Sequence, residues 1–143
     1  MSEPWNVVKL PSFSSPEKPS PIVIAEIGKT TGGMFSEAKR VYMITNDSSK
    51  PEVRGGHRHP PGGKLEFLIC TKGAMTVELH HPARCGTVRL ASPDEALVFG
   101  SDVWHKVTLE PGSQLLSVAS TNFDPKEALP DMLCDCDQPV AHG

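Results

Sequence analysis

The chain has 143 residues, 38% of them hydrophobic, and its 14 Lys and Arg against 17 Asp and Glu give a net charge of −3. That length suits one domain around one core. The slightly acidic balance supplies no basic field for nucleic acid, and the longest apolar runs, "FLIC" and "ALVF", are far too short to cross a bilayer, so a small-molecule role with no nucleic-acid or membrane partner is expected.

The opening "MSEPWNVVKLPSF" has an early Glu and no apolar h-region, so no secretory signal is expected and a cytoplasmic location follows. Residues 1–21 read as an N-terminal arm or loop, because "LPSFSSPEKPSP" has no periodicity and its prolines cannot donate to a ladder. Residues 22–124 then carry a series of short β-branched and apolar segments: "IVIAEI", "KRVYMIT", "KLEFLICT", "AMTVELHH", "GTVRLAS", "EALVFG", "HKVTLEP" and "QLLSVAS". Turn residues such as Lys72-Gly73, Ser92-Pro93-Asp94 and Pro111-Gly112 separate several of them, a spacing that predicts an all-β, antiparallel, barrel-like sandwich. In the tail, residues 125–143, "DPKEALPDML" suggests a short helical segment that Pro130 would interrupt.

"FLICT" and "ALVF" are apolar on both faces, whereas a strand with one wet face alternates. Both faces should therefore be covered, either by a second sheet or by the partner subunit of a homodimer. The four cysteines, Cys70, Cys85, Cys134 and Cys136, lack the spacing of a disulfide framework and are expected to be thiols, Cys70 packed as a small hydrophobe. The tail pair "CDC" has no Cys or His close by in sequence to complete a metal site.

"VRGGHRHP" places His57 and His59 one residue apart, so on a strand both imidazoles share a face and Arg58 points the other way. Metal ligands, an acid/base pair and plain polar surface all remain open on that observation. Glu66 follows after "PPGGKL", and "GSDVWH" brings His105 to the start of a later strand. An unpaired Glu is costly to bury on an apolar strand, so Glu66 needs a cation, a donor or a proton. His80 and His81, at a hairpin end, are expected to be solvated, Trp104 has a packing reading, and His142 lies in a tail expected to fray.

The order His57, His59, Glu66, His105 resembles the cupin double motif, in which such residues converge inside a small jelly-roll barrel and can hold Fe, Mn, Ni or Zn. A longer resemblance runs from about residue 35 to 131. There "FSEAKRVYMI", "RGGHRH", "FLICTKG", "LASPDEALVFGSDVWH" and "LSVASTNFDPKEALPD" are similar in order and spacing to the nucleotide-sugar 3,4-ketoisomerases, the cupins that act on TDP-4-keto-6-deoxyglucose. The resemblance implies an RmlC-like cupin barrel and a metal-free, cofactor-free isomerase. It makes His57 the catalytic base, assisted by His59 and Tyr42. Arg40 and Arg54 then fall near the sugar nucleotide, and Arg58, Glu66, Trp104 and His105 are further candidates for the substrate site. The chain departs from the family pattern in Arg58 in place of Ala, the "PPGG" insert, Glu66 where Gln is common, Phe123 in place of Tyr, and the missing early Asp-x-Arg-Gly.

The implied chemistry suits these side chains. Moving a keto group from C4 to C3 requires a base near neutral pKa and donors aimed at an enediolate, which histidine and a tyrosine hydroxyl supply. Arginines can meet a diphosphate bidentately. The alternative is a metal-dependent cupin, an oxygenase or a small-molecule binding protein, holding a divalent transition metal on His57, His59, Glu66 and His105. A sugar-nucleotide epimerase, with a second acid on the opposite face, is a third reading.

Overall fold

The computed structural model describes residues 3–31, 37–61, 65–122 and 124–134. In chain order the strands are β1 (Trp5–Lys9), β2 (Ser12–Phe13), β3 (Ile22–Val23), β4 (Arg40–Thr45), β5 (Glu52–His57), β6 (Leu65–Lys72), β7 (Met75–His81), β8 (Arg84–Leu90), β9 (Glu95–Gly100), β10 (Trp104–Leu109) and β11 (Gln114–Ala119). One helical turn, α1 (Ile27–Thr30), precedes β4, and a 3-10 turn at Pro125–Glu127 is the short helical segment expected near the C-terminus. Among the described residues no helix is long and apolar enough to cross a membrane.

The strands pair antiparallel into a five-stranded sheet, β1-β9-β6-β11-β4, and a four-stranded sheet, β5-β10-β7-β8, beside a small β2-β3 hairpin. The chain crosses between the two large sheets at Gly73, whose φ of +76° suits glycine and whose added Cβ would collide with the Ser113 hydroxyl. Leu68, Cys70, Met75, Val77, Leu79, Leu97, Phe99, Leu109 and Leu115 form the core between the sheets. Each of the larger ones is worth about 1.5–3 kcal/mol of burial.

The doubly apolar strands are explained by a second core on the outer face of the large sheet. Leu65, Phe67 and Ile69 of β6 and Ala96 and Val98 of β9 pack there with Leu10, Val23 and Ile27 of the N-terminal segment. The chain itself therefore covers the outer face of β6 and β9. At the sheet's end the cover stops, and Val41 and Met43 of β4 are 61% and 65% exposed.

The N-terminal segment is not a free arm. β1 extends the large sheet along β9 from Trp5↔Phe99 to Lys9↔Glu95, and Trp5 enters the core under the Arg84 guanidinium, 3.7 Å from its ring centroid. Tertiary pairing overrides the local turn composition that follows it. Cysteine usage also differs from expectation, since Cys70 and Cys134 are free but Cys85 is disulfide-bonded. Gly62 and Gly63 of the insert, Phe123, Cys136 and His142 lie outside the described residues.

Candidate active site

The two sheets splay at one end around a cavity of about 610 Å³, within the usual range for small-molecule sites. Its floor is apolar, with Ile44, Leu68, Val107 and Leu115, and its polar groups are Arg40, Tyr42, Arg54, His57, His59, Glu66 and His105. Asp124 and Ala128 close part of the rim from the C-terminal segment.

Strand periodicity accounts for most of these positions. Arg40, Tyr42 and Ile44 alternate on β4 with the exposed Val41 and Met43, so all three face inward. The Arg-Gly-Gly before His57 has a local purpose. Gly55 and Gly56 have φ of +84° and +81°, and the β5-β10 register shifts between His105 and Lys106, leaving His57 opposite His105. A Cβ on Gly55 would lie 2.8 Å from the His105 carbonyl oxygen, so this bulge needs glycine.

His57, His59 and His105 consequently cluster, with ring centroids 5.0 Å (His57–His59), 4.8 Å (His57–His105) and 5.3 Å (His59–His105) apart. One ligand nitrogen from each lies within 4.8 Å of the others, a spacing that can hold a metal ion. Glu66 stands outside that set. Its Oε1 is 3.3 Å from His59 Nε2 and 3.9 Å from Arg40 Nη2, so the buried carboxylate has the arginine partner its burial demands and orients His59.

His105 is buried against Phe99, ring centroids 4.5 Å apart, and its Nδ1 lies 2.9 Å from the Val103 carbonyl oxygen. A carbonyl only accepts, so Nδ1 carries the hydrogen and Nε2 the lone pair. Burial pushes the His105 pKa down to about 4, outweighing the Glu66 carboxylate, so the ring is neutral near pH 7. Burial, reinforced by Glu66, raises the Tyr42 pKa, so the hydroxyl stays a donor. The Arg40 guanidinium lies 5.4 Å from the Tyr42 ring centroid. Arg54 sits at the rim, bonded to Glu52 at 3.2 Å.

Two expected site residues lie elsewhere. Arg58 points to the opposite face, as the alternation requires, and binds Asp102 at 2.8 Å and Asp131 at 3.1 Å. Its backbone bridges Leu129, so it latches the C-terminal segment. Trp104 donates its indole N–H to the Pro130 carbonyl at 3.1 Å and packs edge-on against His80, away from the cavity lining. His80 is also corrected, being fully buried and 3.1 Å from Glu78 Oε2 rather than solvated. Sequence reasoning missed Ile44, whose place in the β4 alternation could have revealed it, and Asp124, for which no local pattern exists.

The model of the family described as "WxcM-like, C-terminal" matches residues 5–133. Among solved structures, the chain is similar to a histidine-to-asparagine mutant of the 3,4-ketoisomerase QdtA from Thermoanaerobacterium thermosaccharolyticum in complex with TDP-4-keto-6-deoxyglucose. The TM-score is 0.75 at 23% identity over 92% of this chain and 90% of that one. It is similar to the TDP-quinovose 3,4-ketoisomerase WlaRB from Campylobacter jejuni, with TM-score 0.75, 23% identity and coverage of 89% and 92%. NovW from Streptomyces spheroides, a 4-keto-6-deoxy sugar epimerase, gives TM-score 0.71 at 14% identity, covering 88% of this chain and 68% of that one. No curated protein matches the sequence. These likenesses identify the two-sheet architecture as that of the cupin-like ketoisomerases, and the match over nearly the whole length shows that the chain belongs to the WxcM-like, C-terminal family.

Proposed function

We propose that the protein is a sugar-nucleotide 3,4-ketoisomerase that moves the keto group of a TDP-linked 4-keto-6-deoxyhexose between C4 and C3. The observation that carries the reading is the side-by-side placement of His57 and His59 in a cavity that also presents Tyr42 and the arginines Arg40 and Arg54. His57, half-buried where its two neighbours are buried, is the imidazole best placed to meet a substrate. It removes the C3 proton, the electron pair moves into an enediolate, and His57 returns a proton to C4. The O3 hydroxyl loses its proton and O4 gains one, so the reaction balances without an external oxidant. Tyr42 donates to the enediolate oxygens, and His59 does so in the form that carries hydrogen on both ring nitrogens, one toward Glu66 and one toward the substrate. Arg40 and Arg54 supply positive charge for the diphosphate. Incubation with TDP-4-keto-6-deoxyglucose, followed by NMR, should give the 3-keto isomer. Bound substrate that never rearranges would contradict the assignment.

A second reading rests on the three clustered imidazoles. His57, His59 and His105 offer nitrogens suited to a divalent transition metal, with the Glu66 carboxylate behind His59 as an outer partner. Ligands act as a set, so under this reading His57→Asn, His59→Asn and His105→Asn each lower metal occupancy. Under the isomerase reading they change turnover and leave metal content unmoved.

A further inference from the structure

A second side-chain cluster lies on the β7-β8 hairpin at the other edge of the small sheet, outside the cavity lining just described. His80 of β7 and Cys85 of β8 are direct cross-strand partners, so the hairpin sets their side chains beside each other. Cys134 reaches them from the C-terminal segment, and one ligand atom from each of the three lies within 4.8 Å of the others. The segment is brought there by independent anchors: Arg58 on Asp131 and Leu129, and Trp104 on Pro130. A cleft lined by His81, Arg84, Leu133 and the two sulfurs opens beside the cluster.

We propose that in its thiol form this cluster is a binding site for a zinc ion, which pins the C-terminal segment to the β7-β8 hairpin. Two thiolates and an imidazole are the donor set that soft and borderline cations prefer, and one solvent ligand completes a tetrahedron. The two sulfurs lose their protons on binding, so two thiolates neutralise the divalent charge. The Glu78 carboxylate, 3.1 Å from His80 Nε2, holds the ring in the tautomer with hydrogen on Nε2 and a lone pair on Nδ1. A carboxylate behind a ligating histidine is the usual outer partner of a zinc site. His80 is fully buried and packed against Trp104, which fixes the ring before any ion arrives.

The disulfide at Cys85 is the competing state, because a sulfur in a disulfide is not a thiolate ligand. Opening it takes two electrons and two protons from a dithiol reductant, and zinc then holds the sulfur reduced. The consequence reaches the cavity, since the same C-terminal segment supplies Asp124 and Ala128 to its rim.

The test uses the full chain, reduced with a phosphine, its thiols counted, and titrated with cobalt(II) and zinc(II). The expected result is about one tightly held metal per chain, with a near-ultraviolet sulfur-to-cobalt charge-transfer band that zinc displaces. The three imidazoles of the main cavity cannot produce that band. Cys134→Ser, at a half-exposed position, and Cys85→Ser should each abolish or strongly weaken it while the far-ultraviolet circular dichroism stays unchanged. Reduced wild-type protein that shows no charge-transfer band would overturn the proposal. So would a band that persists undiminished in both serine variants, or a Cys85 disulfide that survives reduction of the folded chain.

Discussion

Nε2 of His59 lies 3.3 Å from Oε1 of Glu66, and the same oxygen faces the Arg40 guanidinium at 3.9 Å. One buried carboxylate thus links the imidazole pair to a positive group of the cavity. Its charge, and not only its shape, holds the arrangement. Glu66→Gln keeps the size and removes the charge, so turnover of the keto sugar should fall about tenfold or more through a misplaced His59, with a smaller change in KM. Steady-state kinetics check this, and equal kcat in the variant would show that the carboxylate does not position His59.

The neutral, buried His105 makes stability depend on pH. Its folded pKa, about 4, lies below the ordinary value of 6.5. The unfolded chain therefore takes up a proton as pH falls below 6.5 and the folded chain does not. Stability present above pH 6.5 should decline down to about pH 4 and then level off, by on the order of 3 kcal/mol from this group. Glu66, His57 and His59 face the same ring, so the comparison with His105→Gln isolates the effect. Urea midpoints at pH 7 and pH 4.5 should differ less in the variant than in the wild type, and an equal difference would contradict the assignment.

Gly55 is the backbone device that aims His57. Gly55→Ala places a methyl group 2.8 Å from the His105 carbonyl oxygen at a φ of +84°, so the bulge must shift. A stability loss of about 1–3 kcal/mol is expected, with activity falling further than global unfolding explains. Thermal melts beside kinetics at a temperature where both proteins are folded check this. The added methyl at Gly112, which has φ of +77° but open space around it, should cost less than at Gly55.

The edge strand β4 leaves Val41 and Met43 exposed, where the chain's own N-terminal cover does not reach. An apolar edge of this kind invites a second copy. Sedimentation at micromolar concentration should show a dimer, and Met43→Lys should shift it toward monomer. A monomeric wild type would remove the homodimer expectation.

Much of this was legible where the signal is local. The doubly apolar "FLICT" and "ALVF" announced strands covered on both faces, and they became β6 and β9 between two cores. The i, i+2 spacing put His57 and His59 together and turned Arg58 away. What failed was long-range. The strand character of β1 depends on pairing with β9, some ninety residues on. The neighbours of Cys134 were equally hidden, because His80 and Cys85 are about fifty residues from it in sequence and meet it only when Arg58 and Trp104 fold the tail back. Trp104, a candidate for the substrate site with a packing reading beside it, follows the packing reading, its indole holding that tail.

The proposed reaction depends on His57 as the base. Exchange of the substrate C3 hydrogen in heavy water, followed by NMR, reports proton abstraction directly even where product does not accumulate. Wild-type protein should exchange C3 of TDP-4-keto-6-deoxyglucose, and His57→Asn should bind the sugar nucleotide while exchanging about a hundredfold more slowly. His59→Asn should lose less. Exchange at C3 that proceeds undiminished in His57→Asn would contradict the assignment of the base and return "RGGHRH" to the role of metal ligand or scaffold.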